Sequence, residues 1–332
     1  CIRDSIRGVG EGAVRAIVDE RKKNGNFRSI FDVTKRVDLR AANKKAFDGL
    51  VLAGAFDSFI HVNRSQYFYP DEKGVTFIEK AIRFGNKYQE SKNSAQVSLF
   101  GEASDVQFDE PEIPPCEPWN VMEKLSKEKE MIGIYISGHP LDDFKTEIKY
   151  FCNARVDLLK NLDQLEGKEL TFAGIVTDVQ HRVSKNGKPW GMFTFEDYSE
   201  AYEFRLFNED YLKFRHFLIP NTFLYLKTVM RRAWQNGDVR VQILAVQQLQ
   251  DVLGKMAKKI TVQLPIEKIN RQEVEAIDQV FKKHKGSQLL NFLIFDRKEK
   301  LKLTMPSRSS KINITKELLD ELTENEYSFK LN

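Results

Sequence analysis

The chain contains no run of about 18 apolar residues and no basic-then-apolar start, so neither a membrane-spanning helix nor a secretory signal is expected, and a cytoplasmic location is. Its three cysteines, Cys1, Cys116 and Cys152, are odd in number and never at C-x-x-C spacing, which argues against a disulfide framework and a zinc site. The five histidines are scattered without ligand spacing, so no metal is assigned. Ser137 and His139 lie close in sequence on either side of Gly138 and precede Pro140; this reads as a structural turn, since nothing supplies a third group to orient the imidazole. No Asp-x-Asp pair and no G-x-x-x-x-G-K-S/T loop occurs, so the carboxylates of two-metal nucleotidyl transfer and a phosphate-cradling P-loop are both missing. No catalytic residue is therefore assigned, and no cofactor in this chain.

What is present is 332 residues with 41% hydrophobic and 30% charged, the chemistry of a multi-domain globular protein. It opens on Cys within a helical pattern, as part of a longer protein would. The formal charge of +4 is unevenly placed. Residues 1–60 hold 12 Lys and Arg against 8 Asp and Glu, while 102–117 hold six acidic residues and no basic one. Such partition suggests modules with different partners.

Three textures follow one another. Residues 5–60 read as short helices, with apolar sets at Val14, Ile17 and Val18, at Ile30, Phe31 and Val33, and at Ala46, Phe47, Leu50 and Val51. A further helical period covers 75–90, periodicity stops at Ser91, and four prolines at 111, 114, 115 and 118 mark a linker before helical 119–132. After about 165 the chain alternates: strands at 170–179, 190–196, 202–207, 223–230 and 239–249, with a helix near 208–217, have the proportions of a five-stranded OB-fold barrel. From about 258 the order strand, helix, two strands, helix, strand makes a small α+β unit. The expected layout is thus a tandem helix-hairpin-helix region with a following helix (1–93), an acidic linker (94–118), a helical connector (119–165), an OB-fold β-barrel (166–253) and an α+β C-terminal domain (258–332).

Within the first region, Gly8, Gly10 and Gly12 between Arg7 and Arg15 have the pattern of a hairpin whose second helix begins at once. Its free amides, with Arg7 and Arg15, would hold a DNA phosphate without reading bases. A glycine turn between packed helices is the bland alternative, offset by the concentrated positive charge. A second hairpin near 39–43 has no glycine pair, so Lys44 and Lys45 rather than its backbone would contact DNA. In the barrel, His181, Arg182, Lys185, Lys188 and Trp190 surround the turn joining the first two strands, where OB-folds take single strands by charge and stacking; a protein partner stays equally open. Arg231, Arg232 and Trp234 extend that surface, whereas Phe193, Phe195, Phe204 and Phe207 are expected in the core by alternation.

Two blocks carry a resemblance. Gly8 to Val14, Phe31-Asp32, Val37 to Arg40, Asn43-Lys44 and Ala53 to Asp57 form one; Trp119, Glu123 to Leu125, Glu128 to Glu130, Gly133, Tyr135 and Ser137 to Leu141 form the other. Together the chain resembles the C-terminal part of the bacterial replicative DNA polymerase III alpha subunits. The resemblance implies duplex DNA held by the hairpins. It further implies a sliding-clamp tether at Gln96, Leu99 and Phe100, an apolar plug whose alternative role is to pack on a neighbouring helix, and a clamp-loader subunit as C-terminal partner. It places the polymerase palm, and the Mg that palm uses, in the parent protein upstream of this chain. A free-standing repair or replication adaptor with the same modules is the competing reading; a nuclease or an aminoacyl-tRNA synthetase would need signatures not found.

Overall fold

The computed structural model describes residues 6–97, 109–232 and 237–331. The chain divides into two compact units between Pro140 and Leu141, inside the segment expected as a connector.

The first unit is helical: α1 (Glu11–Asn24), α2 (Ile30–Arg36), α3 (Lys44–Leu52), α4 (Arg64–Phe68), α5 (Phe77–Val97) and α6 (Val121–Ile132). Short polar side chains start four of them. Ser29, Asn43, Asn63 and Asn120 each accept from an amide in the first turn that the helix cannot satisfy, and Gln66 returns the bond to Asn63 in a full capping box. Phe31, Val33, Phe47, Val51, Tyr67, Phe77 and Ile78 fill the core. Helices α2 and α5 approach closely at Gly85, where a Cβ would lie 2.5 Å from the Thr34 carbonyl oxygen. Gln89 then donates to the Thr34 and Val37 carbonyls, both at 2.8 Å, and so closes the end of α2.

Two expectations about this unit change. Helix α5 continues to Val97, past Ser91, so the start of the presumed linker is helical. The proline-rich stretch, read only as a linker, is tied down from residue 110 on: Gln66 donates to Pro114 O at 2.8 Å, Ser65 to Glu117 O at 2.7 Å, and Lys35 pairs with Glu110 at 2.8 Å. Prolines break periodicity without preventing an extended chain from docking through its carbonyls. Along α1 only Ala13 is fully buried, while Val14, Ile17 and Val18 are half-buried.

The second unit begins with α7 (Lys145–Phe151) and holds two sheets. Strands β1 (Glu169–Val183), β2 (Pro189–Glu196), β3 (Ala201–Phe207), β4 (Phe223–Arg232) and β5 (Val239–Gln248) form an antiparallel sheet in the order β3-β2-β1-β4-β5, with α8 (Asn208–Phe214) between β3 and β4. The order and the central, long β1 are those of an OB-like sheet. The barrel is not closed: β3 and β5 are the two edges, and no ladder joins them. Phe172, Val176, Phe193, Phe195, Phe204 and Leu226 form its core. Helix α9 (Leu249–Met256), where a strand end was expected, buries Leu249, Val252 and Leu253. The second sheet follows from β6 (Lys259–Pro265), α10 (Arg271–Lys283), β7 (Lys285–Phe295), β8 (Lys302–Ile312), α11 (Lys316–Glu324) and β9 (Ser328–Leu331), in the order β8-β7-β6-β9. Parallel β6 and β7 are joined through α10, as parallel strands require a crossover. This is the α+β unit expected.

Candidate nucleic-acid interface

The first hairpin turns at Gly8, whose φ of +86° belongs to the left-handed region that glycine adopts without strain. Gly10 is the N-cap of α1, and a Cβ on Gly10 or on Gly12 would meet nothing within 4 Å, so the start of the helix is open to an approaching group. No side chain caps this end. Backbone N–H groups and the positive end of the helix dipole are arranged to take an anion.

A second element completes the site. Lys45, on the first turn of α3, lays its stem across Gly8, where a Cβ would come within 3.2 Å of Lys45 Cε. The turn Ile6–Val9 reaches α3 because Gly49 has no side chain: a Cβ there would lie 3.0 Å from Val9 and 3.1 Å from the Arg7 carbonyl oxygen. The backbone N–H of Arg7 donates to the Met131 carbonyl at 2.8 Å, at the end of α6. Arg7, Gly8, Gly10, Gly12 and Lys45, all exposed, therefore share one surface. Gly49 was not among the residues singled out; only its position on a helix facing a glycine turn hints at its role.

Two expected phosphate ligands are engaged within the chain. Arg15 is bonded to Glu11 one turn earlier, both exposed. Lys44 lies 3.2 Å from Asp48 and 3.6 Å from Glu79; burial opposes its charge, but these carboxylates raise its pKa above the ordinary value. A cation answered by two carboxylates contributes little net attraction to a polyanion.

The helical unit also holds an ion cluster. Arg64, at the start of α4, donates from Nε and Nη2 to the two oxygens of Asp57 at 2.8 and 2.6 Å and from Nη1 to Leu52 O at 3.1 Å. Its Nη1 also lies 2.7 Å from Glu128 Oε1, a charge contact rather than an aligned hydrogen bond. Glu128 is completely buried, and its other oxygen accepts from the Ile136 and Ser137 amides at 3.1 and 3.0 Å. Burial would raise its pKa; those amides and Arg64 outweigh it and hold it below the ordinary 4.5. The turn containing Ser137 and His139 is thus fixed by Glu128, and His139 packs edge-on against Tyr135. That agrees with a structural role.

On the OB-like sheet, Arg182, Trp190 and Phe207 stand in register across β1, β2 and β3. Trp190 stacks on Phe207 at 5.7 Å with 20° between the planes, and the Arg182 guanidinium lies 5.7 Å from the Trp190 ring. Phe207, expected in the core, is 51% exposed: Phe204 and Leu206 set the inward phase of β3, so residue 207 points outward. Lys185 and Lys188 are exposed around the turn at Gly187, closed by Ser184 N to Lys188 O at 2.9 Å. Arg205, in the next row, is paired with Glu203 at 2.7 Å. Between the edges of β3 and β5 a cleft of about 570 Å³ is lined by Arg205, Phe207 and Arg240 among others. Arg232 is held by both oxygens of Glu166, at 3.0 and 2.6 Å, which removes it from the free surface. Trp234 lies outside the described residues, as do Leu99 and Phe100; Gln96 lies at the end of α5.

Among the described residues no group of three or more His, Cys, Asp or Glu is placed to hold a metal ion, and no helix is long and apolar enough to cross a membrane. Cys152 is a free thiol whose pKa burial pushes up to about 12.

Fold and surface define a multi-domain chain with a basic hairpin region at its front, an OB-like sheet and a small α+β unit. Comparison with known families supports both ends. The helix-hairpin-helix motif matches residues 4–67, and the C-terminal domain of the DNA polymerase III alpha subunit matches 260–332. DNA polymerase III subunit alpha of Escherichia coli K12 is 27% identical over 300 residues, which cover 88% of this chain and 25% of that protein. The Vibrio cholerae protein of the same name is 25% identical over 320 residues, 96% of this chain and 27% of its own length. That of Pseudomonas aeruginosa is 26% identical over 296 residues, covering 85% and 25%. The chain is similar to the C-terminal part of the bacterial DNA polymerase III alpha subunit, and it spans about a quarter of the length of the curated relatives it matches. Among solved structures, an OBody bound to hen egg-white lysozyme covers 26% of this chain and 84% of its own at 17% identity, with a TM-score of 0.21.

Proposed function

We propose that this chain supplies grip rather than chemistry to a replicative DNA polymerase. It holds duplex DNA by the phosphates, through the turn Arg7–Gly12 and Lys45. The observation that carries the reading is the stem of Lys45 lying across Gly8, which joins the open start of α1 and the start of α3 in one basic surface. Phosphate contacts of this kind grip without reading sequence, as a polymerase that must copy any template needs. The OB-like sheet offers Arg182, Trp190 and Phe207 to single-stranded template, and the C-terminal domain a surface to a clamp-loader subunit. Gln96, Leu99 and Phe100 are the proposed clamp tether. Nucleotidyl transfer, with its Mg, belongs to the remainder of the parent protein.

The test measures duplex affinity across a salt series. Lys45→Ala is expected to weaken binding for all sequences alike and to reduce the salt slope by about 1, since one phosphate contact is lost. Lys44→Ala is expected to change the slope much less, because Asp48 and Glu79 already answer its charge. An unchanged slope for Lys45→Ala overturns the hairpin reading. For the tether, a triple alanine replacement of Gln96, Leu99 and Phe100 should abolish clamp binding, and equal affinity would remove that assignment.

A further inference from the structure

The two edges of the C-terminal sheet are treated differently. At β9, only four residues long, Tyr150 stacks on Phe329 and donates to its carbonyl at 3.1 Å, so that edge is covered. Strand β8 is eleven residues long, pairs among the described residues only with β7, and is exposed from Lys302 to Pro306. An uncovered edge of that length is a template for another strand.

Its chemistry narrows what would add there. The Asp296 N–H donates to the Leu301 carbonyl at 3.0 Å, so alternation gives Leu303 and Met305 to the β7 ladder and turns the N–H and C=O of Lys302 and Thr304 outward. Pro306 lacks an N–H and ends the usable edge. The side chains tell the same story: Leu303 continues the row Leu264–Ile294 and Met305 the row Val262–Phe292, on the face that α10 covers further in. Yet Leu303 is 58% and Met305 39% exposed, so the apolar face ends unfinished at β8. Residues 296–311 carry six Lys and Arg against two acidic residues. A second copy of this strand would set like charges beside each other.

We infer that the β8 edge receives an extended acidic peptide, apolar at alternate positions, which adds as a further strand against Lys302–Met305. Its backbone pairs with Lys302 and Thr304, its apolar residues complete the rows of Leu303 and Met305, and its carboxylates answer the basic hairpin. This inference is independent of how the hairpins hold DNA.

The probes are two fluorescent nine-residue peptides of equal composition, one alternating acidic with β-branched residues and one with the two kinds in separate blocks, titrated against the full chain. The alternating peptide is expected to bind more tightly. Thr304→Pro, which deletes an outward N–H while sparing the β7 ladder, should weaken it about tenfold with the melting temperature unchanged. Lys302→Glu should weaken it as well and flatten its salt dependence, and hydrogen exchange at the amides of residues 302 and 304 should slow when the peptide is bound. Equal affinity for both peptides, no binding of either, or no effect of both substitutions overturns the inference. So does a single-stranded oligonucleotide that binds in a Lys302-dependent but Thr304→Pro-insensitive way, or self-association that Thr304→Pro abolishes.

Discussion

At the residue scale the least exchangeable group is Arg64, because it carries the charge that makes Glu128 tolerable. Arg64→Met would leave Glu128 buried and unpaired, and breaking a buried pair from one side costs about 3–5 kcal/mol. Urea unfolding should register that loss in the helical unit. Adding Glu128→Gln, which keeps an acceptor for the Ser137 and Ile136 amides without the charge, should recover part of it. The acid response follows from the same cluster. Burial opposes the charge on Asp57 as on Glu128, but Arg64 and Lys124 hold Asp57 below its ordinary 3.8. Both carboxylates thus have lower pKa values folded than unfolded. Their contribution is complete above the ordinary range near 4.5 and is lost as pH falls through the folded values. Melts between pH 7 and 3 should show the helical unit weakening below about pH 4.5, and Glu128→Gln should make that fall shallower. None of this cluster is legible in the sequence: the charged residues of α6 look like a solvated face, and only the packing of distant segments buries one of them. The neutralisation of Lys44 is hidden for the same reason, since Glu79 comes from a different helix.

At the scale of elements the sequence was more open to reading. Asparagine caps and Gly133, with its φ of +85° after α6, mark helix ends, and the turn at Gly187 marks the β1–β2 hairpin. Both α10 and the strand alternation through Phe193, Phe195 and Phe204 follow directly from spacing. What escaped are places where two periods meet. Helix α9 follows β5 without a break, so Leu249 serves as the last residue of one pattern and the first of another. Phe207 looks like core by type, yet Leu206 beside it has already taken the inward phase. That outward turn leaves Phe207 exposed beside Trp190, the pair proposed to take a base. If a base stacks there, Trp190→Ala and Phe207→Ala should each cost single-stranded DNA about 1–3 kcal/mol of binding, while duplex affinity at the hairpins stays unchanged. An anisotropy titration with a short labelled oligonucleotide, run alike on the wild type and both variants, decides it.

For the molecule as a whole, two units with separate cores predict separate responses. Calorimetry should resolve two unfolding transitions, with Arg64→Met lowering one and leaving the other in place. A single transition shifted as a whole would show that the units unfold together. Most of the modular order was legible because charge and periodicity change along the chain, whereas the boundary at Pro140 was not, since the helical texture of α6 and α7 runs across it.

The anchoring of the proline-rich stretch sets a limit on what lies before it. Helix α5 ends at Val97, and Glu110 and Pro114 are fastened to Lys35 and Gln66. The flanks of residues 98–109 thus both belong to the helical unit, and a chain of that length has a contour of only roughly 40 Å at about 3.5 Å per residue. Were the proposed tether at Leu99 and Phe100 engaged, that contour would bound how far its occupant could stray from the helical unit.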